Sequence, residues 1–485
     1  MPSTEKWTSL SSSLIVSKVI TGLWQVADLE RNGKSVDLTK MAAGMNAYAD
    51  GGFTTFDMAD HYGSAEEIAG LFARQYKSSP VQLLTKWVPK PGKVSKQDVI
   101  DAVDRSLTRM QTSSLDLLQF HAWNYADPTW LDCLFWLQEI KESGKIKNLG
   151  VTNFDTAHLR IAVTSGIDIV SNQVCYSLLD QRASKGMHEF CLAHNVKILA
   201  FGTIAGGFLS EKWLGKPEPV ISESLSWSQM KYKRFIDTAG GWDLFQSLLS
   251  VLDSVAKKYD LTIPLIASRF ILEDAAVGAV IIGARPGLSD HIDENKKLLD
   301  FVLDTESNKK IRQALSAFTP IPGDCGDEYR KPPYLTASGD LSHHVDNIPP
   351  PFPTITDSTG KLKALSGTVW EEMAGFSRAV RKGNRILVSG TTATHGNRAI
   401  GGNDPAAQMH FVIDKIEGAI QSLGGTLEDV VRTRIYVSEV ANWEPIARAH
   451  GERFKNIQPA NTLINANLIG DEYLIEMEAE AELSS

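Results

Sequence analysis

The sequence is poor in cysteine and has no long apolar run, and each absence excludes a class of protein. Only 4 cysteines occur in 485 residues, and none forms a Cys-x-x-Cys pair or a zinc-type spacing. We therefore expect neither a disulfide framework nor a bound metal. No segment approaches the ~18 uninterrupted apolar residues of a membrane span. The N-terminal segment MPSTEKWTSLSSSLIVSKVITG has no basic stretch followed by an apolar run, so we expect no signal peptide and a cytoplasmic location.

Positive charge is not in excess either. The 49 Lys and Arg residues are outnumbered by 58 Asp and Glu residues, which gives a net charge of -9. This balance argues against nucleic acid as a main partner, because phosphate binding needs a basic face. Hydrophobic residues make up 43% of the chain and charged residues 22%, which is typical of a globular protein with a large core.

A proline-rich run divides the chain. At ~100–200 residues per domain, this length predicts two or three domains. The clearest break is IPPPFP at 348–353, and proline removes backbone donors and stiffens the chain, so this run is a spacer. We predict a first domain over residues 1–320, an irregular tail and proline-rich linker over 321–365, and a smaller domain over 366–485.

The first domain alternates short β-branched runs with segments of helical periodicity. Eight such runs occur, at residues 17–24, 53–57, 81–86, 116–120, 146–152, 169–174, 198–202 and 279–283. Eight strands alternating with helices predict an α/β fold of the (β/α)8 barrel type. The competing doubly wound sheet would need a Gly-x-Gly-x-x-Gly turn after its first strand, and none occurs there.

Four polar side chains follow neighbouring strands of the predicted barrel. Asp57, Lys86 and His121 stand at three strand ends, and Tyr62 follows Asp57 by five residues. Functional residues of barrels lie at the carboxyl ends of strands, so we expect these four to meet at one mouth. Each alone has a structural alternative: a helix cap, a solvated strand end, a core histidine or a packed aromatic.

Together these four side chains suit the reduction of a carbonyl group. A buried lysine cation near a tyrosine is expected to lower the pKa of the phenol from ~10, and a carboxylate holds that lysine in place. Histidine can donate a hydrogen bond to a carbonyl oxygen. The set therefore predicts proton transfer to a carbonyl oxygen while hydride arrives at the carbon.

The same segments resemble the aldo-keto reductase family over about residues 10–318. The matching motifs, all in order, are FTTFDMADHYGSAE, LLTKW, LLQFHAW, GVTNFD, SNQVCYSLLDQR, FGTIAGGFLSEKW and IIGARPGLSDHIDEN. The resemblance implies an NAD(P)H-dependent oxidoreductase that reduces an aldehyde or ketone, with a small-molecule carbonyl compound as its partner. It implies the catalytic residues Asp57, Tyr62, Lys86 and His121, with Tyr62 as the general acid.

The resemblance also implies a nicotinamide cofactor site. Thr152, Asn153 and Gln173 would hold the carboxamide, and Tyr176 would stack under the nicotinamide ring. The remaining implied cofactor positions are Gly22, Trp24, Asp57, Gly202, Gly206, Gly207, Leu209, Gly283, Arg285, Glu294 and Asn295.

One departure from the family pattern bears on cofactor choice. Four residues before Asn295, where many family members carry a basic or amide residue, the chain has His291. Arg285 is the implied contact to a 2′-phosphate, since a guanidinium suits a phosphate. NADPH is therefore expected, and NADH stays open.

Three tryptophans lie next to strand ends of the predicted barrel. They are Trp24, Trp87 and Trp123. We interpret them as walls of the substrate pocket, with core packing as the alternative. The tail over residues 323–344 is a second candidate for lining that pocket, because the corresponding tail of the family often folds over the barrel mouth.

From Arg385 the pattern changes to a smaller α+β unit. It resembles the RidA/YjgF (reactive intermediate deaminase) family over about residues 366–483, through GNRILVSG, a helix ending in SLGG, VVRTRIYV, the pair Pro459–Ala460 and a terminal Glu-Met-Glu. The resemblance implies a chorismate mutase-like fold, hydrolysis of 2-imino acids or enamines, and trimers with clefts between subunits.

Two departures weaken the implied hydrolase chemistry. Asn461 stands where the family has an arginine that grips the substrate carboxylate, and Phe376 replaces a family tyrosine. We predict a different polar cleft in this domain, formed by Arg434, His450, Asn461 and Glu476, with solvated or structural roles as the alternative.

Three functions are consistent with these features. The leading one is an NADP-dependent carbonyl reductase. The second is a bifunctional enzyme whose C-terminal domain hydrolyses or channels an imine. The third gives the C-terminal domain only a role in trimerisation, because symmetric oligomers are common. A homotrimer formed through the C-terminal domain is expected.

Overall fold

Eight parallel strands form the closed barrel that the sequence predicts. The structure is a computed structural model, and it describes residues 6–289, 291–341, 346 and 348–484. The last barrel strand pairs with the first, which closes the ring. In order around the barrel the strands are β3 (Val19–Gly22), β4 (Thr55–Asp57), β5 (Gln82–Trp87), β6 (Leu117–Phe120), β7 (Leu149–Thr152), β8 (Ile169–Cys175), β9 (Lys197–Phe201) and β10 (Val277–Gly283).

Helices surround the barrel and bury their apolar sides against it. Several start at side chains that cap the helix: the Ser95 side chain accepts a hydrogen bond from the Asp98 amide, and the Asp155 side chain accepts one from the His158 amide. The helices are α1 (Trp24–Glu30), α2 (Leu38–Asp50), α3 (Ala65–Gln75), α4 (Lys96–Met110), α5 (Thr129–Glu142), α6 (Thr156–Thr164), α7 (Gly186–Ala193), α8 (Trp227–Thr238), α9 (Trp242–Tyr259), α10 (Ile263–Leu272), α11 (Ile292–Lys297), α12 (Thr305–Leu315) and α13 (Asp327–Arg330).

An N-terminal hairpin covers the amino ends of the barrel strands. Its strands are β1 (Trp7–Ser11) and β2 (Leu14–Ser17). Leu10, Leu14 and Val16 of the hairpin form an apolar cluster with barrel residues such as Leu84 and Leu117. This end of the barrel is therefore packed, and the carboxyl ends of the strands face the opposite way.

The C-terminal part forms a seven-stranded sheet with helices, which confirms the α+β fold expected for it. Neighbouring strands are antiparallel, except that β17 (Val430–Val437) and β18 (Ala460–Asn465) are parallel. The sheet order is β11 (Thr354–Thr356), β12 (Leu362–Ala364), β13 (Ala379–Lys382), β14 (Arg385–Thr392), β19 (Ile475–Glu482), β17 (Val430–Val437) and β18 (Ala460–Asn465). A small hairpin, β15 (Thr394–His395) and β16 (Arg398–Ala399), and the helices α14 (Val369–Ala374), α15 (Pro405–Ser422) and α16 (Trp443–Phe454) complete the domain.

Part of the stretch expected to be irregular is ordered. Strands β11 and β12 lie within residues 321–365 and form an edge hairpin of the second sheet. Its turn is built by Asp357, whose carboxylate accepts hydrogen bonds from the amides of Thr359 and Lys361; Asp side chains favour turns because they bond to the backbone two residues further on. The domain boundaries at residues 320 and 366 stay predictions.

The two domains pack closely through α15 and α6. Gly418 of α15 faces the Ala126 carbonyl oxygen so closely that a Cβ there would collide with it. An ion pair joins Arg160 to Asp404 at 2.7 Å between Nη1 and Oδ2. Within the described ranges, no helix is both long and apolar enough to cross a membrane.

Candidate active site

A cavity of about 620 Å3 opens at the carboxyl ends of the barrel strands. Most of the residues singled out from the sequence line this cavity. They are Gly22, Trp24, Asp57, Tyr62, Lys86, His121, Trp123, Thr152, Asn153, Gln173, Gly202, Gly206, Gly207, Gly283 and Arg285.

A buried ion pair stands at the base of this cavity. Lys86 Nζ donates to Asp57 Oδ2 at 2.6 Å and to the Met58 carbonyl at 2.8 Å. Gln173 Nε2 donates to the other Asp57 oxygen at 2.7 Å. Burial lowers the pKa of the Lys86 ammonium, and the charge of Asp57 opposes that shift. The carboxylate therefore keeps a desolvated lysine cation in a fixed place.

Tyr62 lies directly above this pair. Lys86 Nζ is 4.7 Å from the centre of the Tyr62 ring, and Trp24 packs edge-on against that ring at 4.9 Å. The expectation of a lowered phenol pKa is wrong here: burial, followed by the charge of Asp57, raises the pKa of Tyr62 well above its usual value. The phenol consequently stays protonated at neutral pH and can serve as a proton donor.

His121 presents an unpaired nitrogen to the cavity. Its Nε2 is buried and has no hydrogen-bond partner within the described part of the chain. Burial, together with the charge of Arg330, lowers the pKa of His121 well below its usual value. The imidazole is therefore neutral, and in the tautomer protonated at Nε2 it would donate to a carbonyl oxygen.

The loop after β7 fits an amide ligand. Asn153 Oδ1 is buried without a partner among the described residues, and such an oxygen suits the N–H of a carboxamide. Asn153 has a left-handed backbone, with φ 58°. Thr152 Oγ1 donates to the Gln173 carbonyl at 3.1 Å, which ties this loop to the end of β8.

Glycines open one side of the cavity to a large ligand. Gly202 has φ 80° and Gly206 φ 62°, both in the region that glycine tolerates best. A Cβ at Gly202 would collide with the Tyr232 hydroxyl. Glycine at 202 therefore makes room for Tyr232, and Gly202, Gly206 and Gly207 of the loop after β9 line the cavity.

Arg285 contributes positive charge at the far end of the cavity. Its Nη2 donates to Gln25 Oε1 at 3.0 Å and lies 3.7 Å from Asp28 Oδ2. The guanidinium is thus oriented, although one carboxylate already stands near it.

Two expected contacts to the cavity are corrected by the structure. Tyr176 does not line it: its ring is buried and its hydroxyl donates to Asp274 Oδ2 at 2.8 Å. Phe201, at the end of β9, is the aromatic side chain that lines the cavity instead. Trp87 packs against Phe120 outside the cavity, because successive strand residues point to opposite faces and its neighbour Lys86 points inward.

Three further residues of the expected cofactor set stand outside the cavity lining. Leu209 is fully buried in the core. Glu294 and Asn295 lie on α11, and Glu294 accepts a hydrogen bond from Thr262 Oγ1 at 2.5 Å. His291, which precedes α11, does line the cavity.

The cavity wall also contains a charged group that the sequence reasoning missed. Lys231 of α8 donates to the Tyr329 hydroxyl at 2.5 Å and lies 3.5 Å from Asp340. Burial alone would lower the pKa of Lys231, but Asp340 and other anionic neighbours raise it. No motif marks α8 in the sequence, whereas Tyr329 and Asp340 come from the tail expected near the mouth; residues 342–344 of that tail lie outside the described residues.

The polar cleft expected in the second domain does not form within one chain. Arg434 pairs with Glu478 at 3.0 Å and with Glu480 at 3.2 Å on the open face of the sheet. His450 and Asn461 instead both contact Thr433 Oγ1, at 3.1 and 2.8 Å. Thr433 and Arg434 are consecutive on β17 and therefore point to opposite faces.

Glu476 belongs with the open face rather than with His450. It lies two residues before Glu478 on β19, so the two share a face. Burial, then the charge of Glu478, raises the pKa of Glu476. The expected set thus divides into Arg434 and Glu476 on one side and His450 and Asn461 on the other.

Comparisons with known proteins agree with this architecture. Residues 18–316 match the aldo/keto reductase family model, and residues 369–483 match the model described as endoribonuclease L-PSP. Aldo-keto reductase YhdN of Bacillus subtilis is 24% identical over 351 residues, covering 68% of this chain and 98% of that protein.

Solved structures share the fold of the first unit. Glycerol dehydrogenase AKR11B4 of Gluconobacter oxydans shares the fold, with TM-score 0.55 and 20% identity over 66% of this chain and 98% of its own. Rv2704 of Mycobacterium tuberculosis, described as a member of the YjgF/YER057c/UK114 family, is 37% identical over 25% of this chain and 99% of its own, with TM-score 0.24. The chain therefore belongs to the aldo-keto reductase family, whose members are nicotinamide-dependent carbonyl oxidoreductases, and carries a RidA/YjgF-like domain at its C-terminal side.

Proposed function

We propose that this protein reduces an aldehyde or ketone with NADPH and that Tyr62 supplies the proton. The observation that carries the proposal is the meeting of Tyr62, the Asp57–Lys86 pair and the unpartnered His121 Nε2 at one cavity. A bound reduced nicotinamide supplies hydride to the carbonyl carbon. His121 holds the carbonyl oxygen, and Tyr62 donates its proton to that oxygen as negative charge develops there.

Lys86 stabilises the phenolate that forms when Tyr62 gives up its proton. Loss of the phenolic proton produces a phenolate, and a cation 4.7 Å from the ring offsets that charge. In the resting site burial raises the pKa of the Tyr62 phenol, so the lysine cation acts at the moment of proton transfer rather than by lowering that pKa beforehand.

Tyr62→Phe tests the chemistry. It keeps the ring against Trp24 and removes the acid, so we expect kcat for carbonyl reduction to fall by ~10²–10⁴-fold while NADPH binding persists. The substrates are a panel of aldehydes, ketones and imines offered with NADPH or NADH, followed by absorbance of the reduced cofactor. Tyr76→Phe, which removes a hydroxyl bonded to Asp50 on the surface, is the control. Normal turnover by Tyr62→Phe would rule the mechanism out.

Arg285 supports the choice of NADPH. Its guanidinium lines the cavity and can bind a 2′-phosphate. We expect Arg285→Gln to raise the Kd of NADPH about tenfold and to leave that of NADH nearly unchanged. Equal effects on both cofactors would remove Arg285 from this role.

We also propose that the second domain assembles the protein into a homotrimer. Leu387, Val431 and Ile464, on three strands of its sheet, are each about half exposed, and such apolar surface suits self-association. Light scattering on the intact protein gives the mass: a monomer would contradict the proposal, and Leu387→Glu should dissociate a trimer.

Imine hydrolysis is the competing role for this domain. Asn461 donates to Thr433 and so offers no cation for a substrate carboxylate. Ammonia release from 2-iminopropionate, reduced by Glu476→Gln, would establish that activity; no release from the intact protein would exclude it for that substrate.

We place the reductase in the cytoplasm, since the four cysteines are buried free thiols.

A further inference from the structure

A buried ionic cluster joins the second domain to the barrel. His158 of α6 contacts Asp155 Oδ1 through Nδ1 at 2.6 Å and Asp414 Oδ2 of α15 through Nε2 at 2.9 Å. Both ring nitrogens face carboxylates, so both act as donors and the imidazole is charged. Arg453 of α16 donates to the other Asp414 oxygen at 2.6 Å. Asp414 is therefore shared between its own domain and the barrel.

Such a cluster fixes geometry because its members are withdrawn from water. The side chains of Asp155, His158 and Asp414 are at most 7% exposed. An uncompensated buried charge is costly, so removing one partner is expected to displace the others.

The cluster reaches the nicotinamide loop along the chain. The Asp155 carboxylate also accepts a hydrogen bond from the His158 amide at 2.8 Å and so caps α6. Asp155 comes two residues after Asn153. Holding His158 therefore holds the end of the loop that carries Asn153.

The cluster also reaches the same loop through space. The His158 ring stacks on Tyr125, with centroids 3.4 Å apart and planes 5° apart. The Arg330 guanidinium lies 4.4 Å from the centre of the Tyr125 ring. Arg330 in turn donates to the Asn153 carbonyl at 2.7 Å and to the Ala122 carbonyl, next to His121, at 2.8 Å.

Asn153 needs this support. Its φ of 58° is unfavourable for a residue with a side chain, and such conformations persist only where the surroundings impose them. Gly326 accommodates it closely, because a Cβ at Gly326 would collide with the Asn153 carbonyl oxygen.

We propose that Asp414 is a positioning residue for the reductase site. By holding His158 it sets the Asn153 backbone, and thereby directs Asn153 Oδ1 toward a nicotinamide carboxamide. The second domain then acts on the cofactor site of the barrel through His158 and the residues that it contacts. This inference rests on the proposed reductase function.

Asp414→Asn and Asp404→Asn, made in the full chain, test the inference as a matched pair. Both remove a carboxylate of the same interface, but Asp404 pairs with Arg160, whose guanidinium otherwise lies over Phe190, and neither Asp404 nor Phe190 lines the cavity. The probes are NADPH and adenosine 2′,5′-bisphosphate, which lacks the nicotinamide. We expect Asp414→Asn to weaken NADPH binding by about 2- to 30-fold and to leave the bisphosphate unchanged, and Asp404→Asn to change neither.

A double-mutant cycle asks whether the effect runs through Asn153. If it does, Asp414→Asn should weaken NADPH binding no further in an Asn153→Ala background. Additive losses, equal losses for both probes, or unchanged NADPH binding by Asp414→Asn would each overturn the inference.

A variant that does not fold and a wild-type protein that is inactive have different meanings for the inference. If Asp414→Asn does not fold, Arg453→Gln takes its place: it keeps the Asp414–His158 pair and removes the contacts of Arg453 to Asp414 and Glu417. It should show the same split between probes at smaller size, and equal loss for both probes would overturn the inference. Wild-type protein that neither binds NADPH nor reduces any carbonyl contradicts the proposed function itself, whereas a wild-type-like Asp414→Asn contradicts only the positioning role.

Discussion

Lys86 in the barrel and Lys415 in the second domain are both buried lysines with lowered pKa, yet their surroundings differ. Lys86 has the Asp57 carboxylate at 2.6 Å and borders the large cavity. Lys415 donates to the Thr394 carbonyl at 2.5 Å, and burial, followed by the charge of Arg378, lowers its pKa to about 7. A perturbed pKa thus reports burial in both regions, and only the counter-ion and the cavity indicate chemistry.

The largest expected effect separates these two lysines. Lys86→Met removes the cation beside the Tyr62 ring and leaves the buried Asp57 carboxylate without its counter-ion. We therefore expect kcat/KM for carbonyl reduction to fall by ~10²–10⁴-fold. Lys415→Met replaces a partly neutral amine by an apolar chain of similar length and should leave kcat/KM within about twofold. Steady-state kinetics of the two variants decide the matter. Comparable losses would mean that both lysines serve the reaction.

A smaller effect, on the free energy of unfolding, is expected to distinguish two helical glycines of the second domain. A methyl group at Gly418 would collide with the Ala126 carbonyl across the interface, whereas Gly451 of α16 faces open space. We expect Gly418→Ala to destabilise the protein by about 1–3 kcal/mol and Gly451→Ala to stabilise it by about 0.5–1 kcal/mol. Denaturant unfolding measures both. A stabilising Gly418→Ala would show that the domains do not pack this closely.

Another effect on stability concerns pH. Burial alone would lower the pKa of His158, but Asp155 and Asp414 raise it to about 9 from an ordinary 6.5. Its contribution to stability is therefore complete below pH 6.5 and is lost as pH rises through 9. The pKa of Asp414 is lowered, with burial opposed by the charge of His158, so its contribution is present above its ordinary pKa and is lost in acid.

Thermal unfolding between pH 6.5 and 9.5 checks this expectation. The melting temperature should fall by a few degrees over that range, and His158→Gln should flatten the decline. A decline that is equally steep in the variant would assign the pH dependence to other groups.

The barrel site was largely predictable because parallel strands end at one rim. Asp57, Lys86 and His121 close three consecutive barrel strands, so sequence order alone places them together. The orientation of Trp87 was predictable too, from its alternation with Lys86. Lys231 was not, because it reaches the cavity from α8, where nothing in the local pattern distinguishes a lining lysine from a solvated one.

The second domain was predictable in fold and not in its cleft. Alternating apolar residues specify strands such as β19, but whether Arg434 meets His450 depends on which face each occupies. A face left open in one chain is completed only by whatever packs on it, and one sequence does not contain that information.

The tail that carries Tyr329 and Asp340 does not end free. Glu328 is held by Arg182 at 2.8 Å at its start, and beyond the cavity the chain enters the second domain, where the Phe352 amide donates to Ser422 Oγ of α15 at 2.9 Å. A wall tethered at both ends cannot swing away from the barrel as a free terminus can. The second domain therefore anchors one end of the chain segment whose Tyr329 and Asp340 line the cavity.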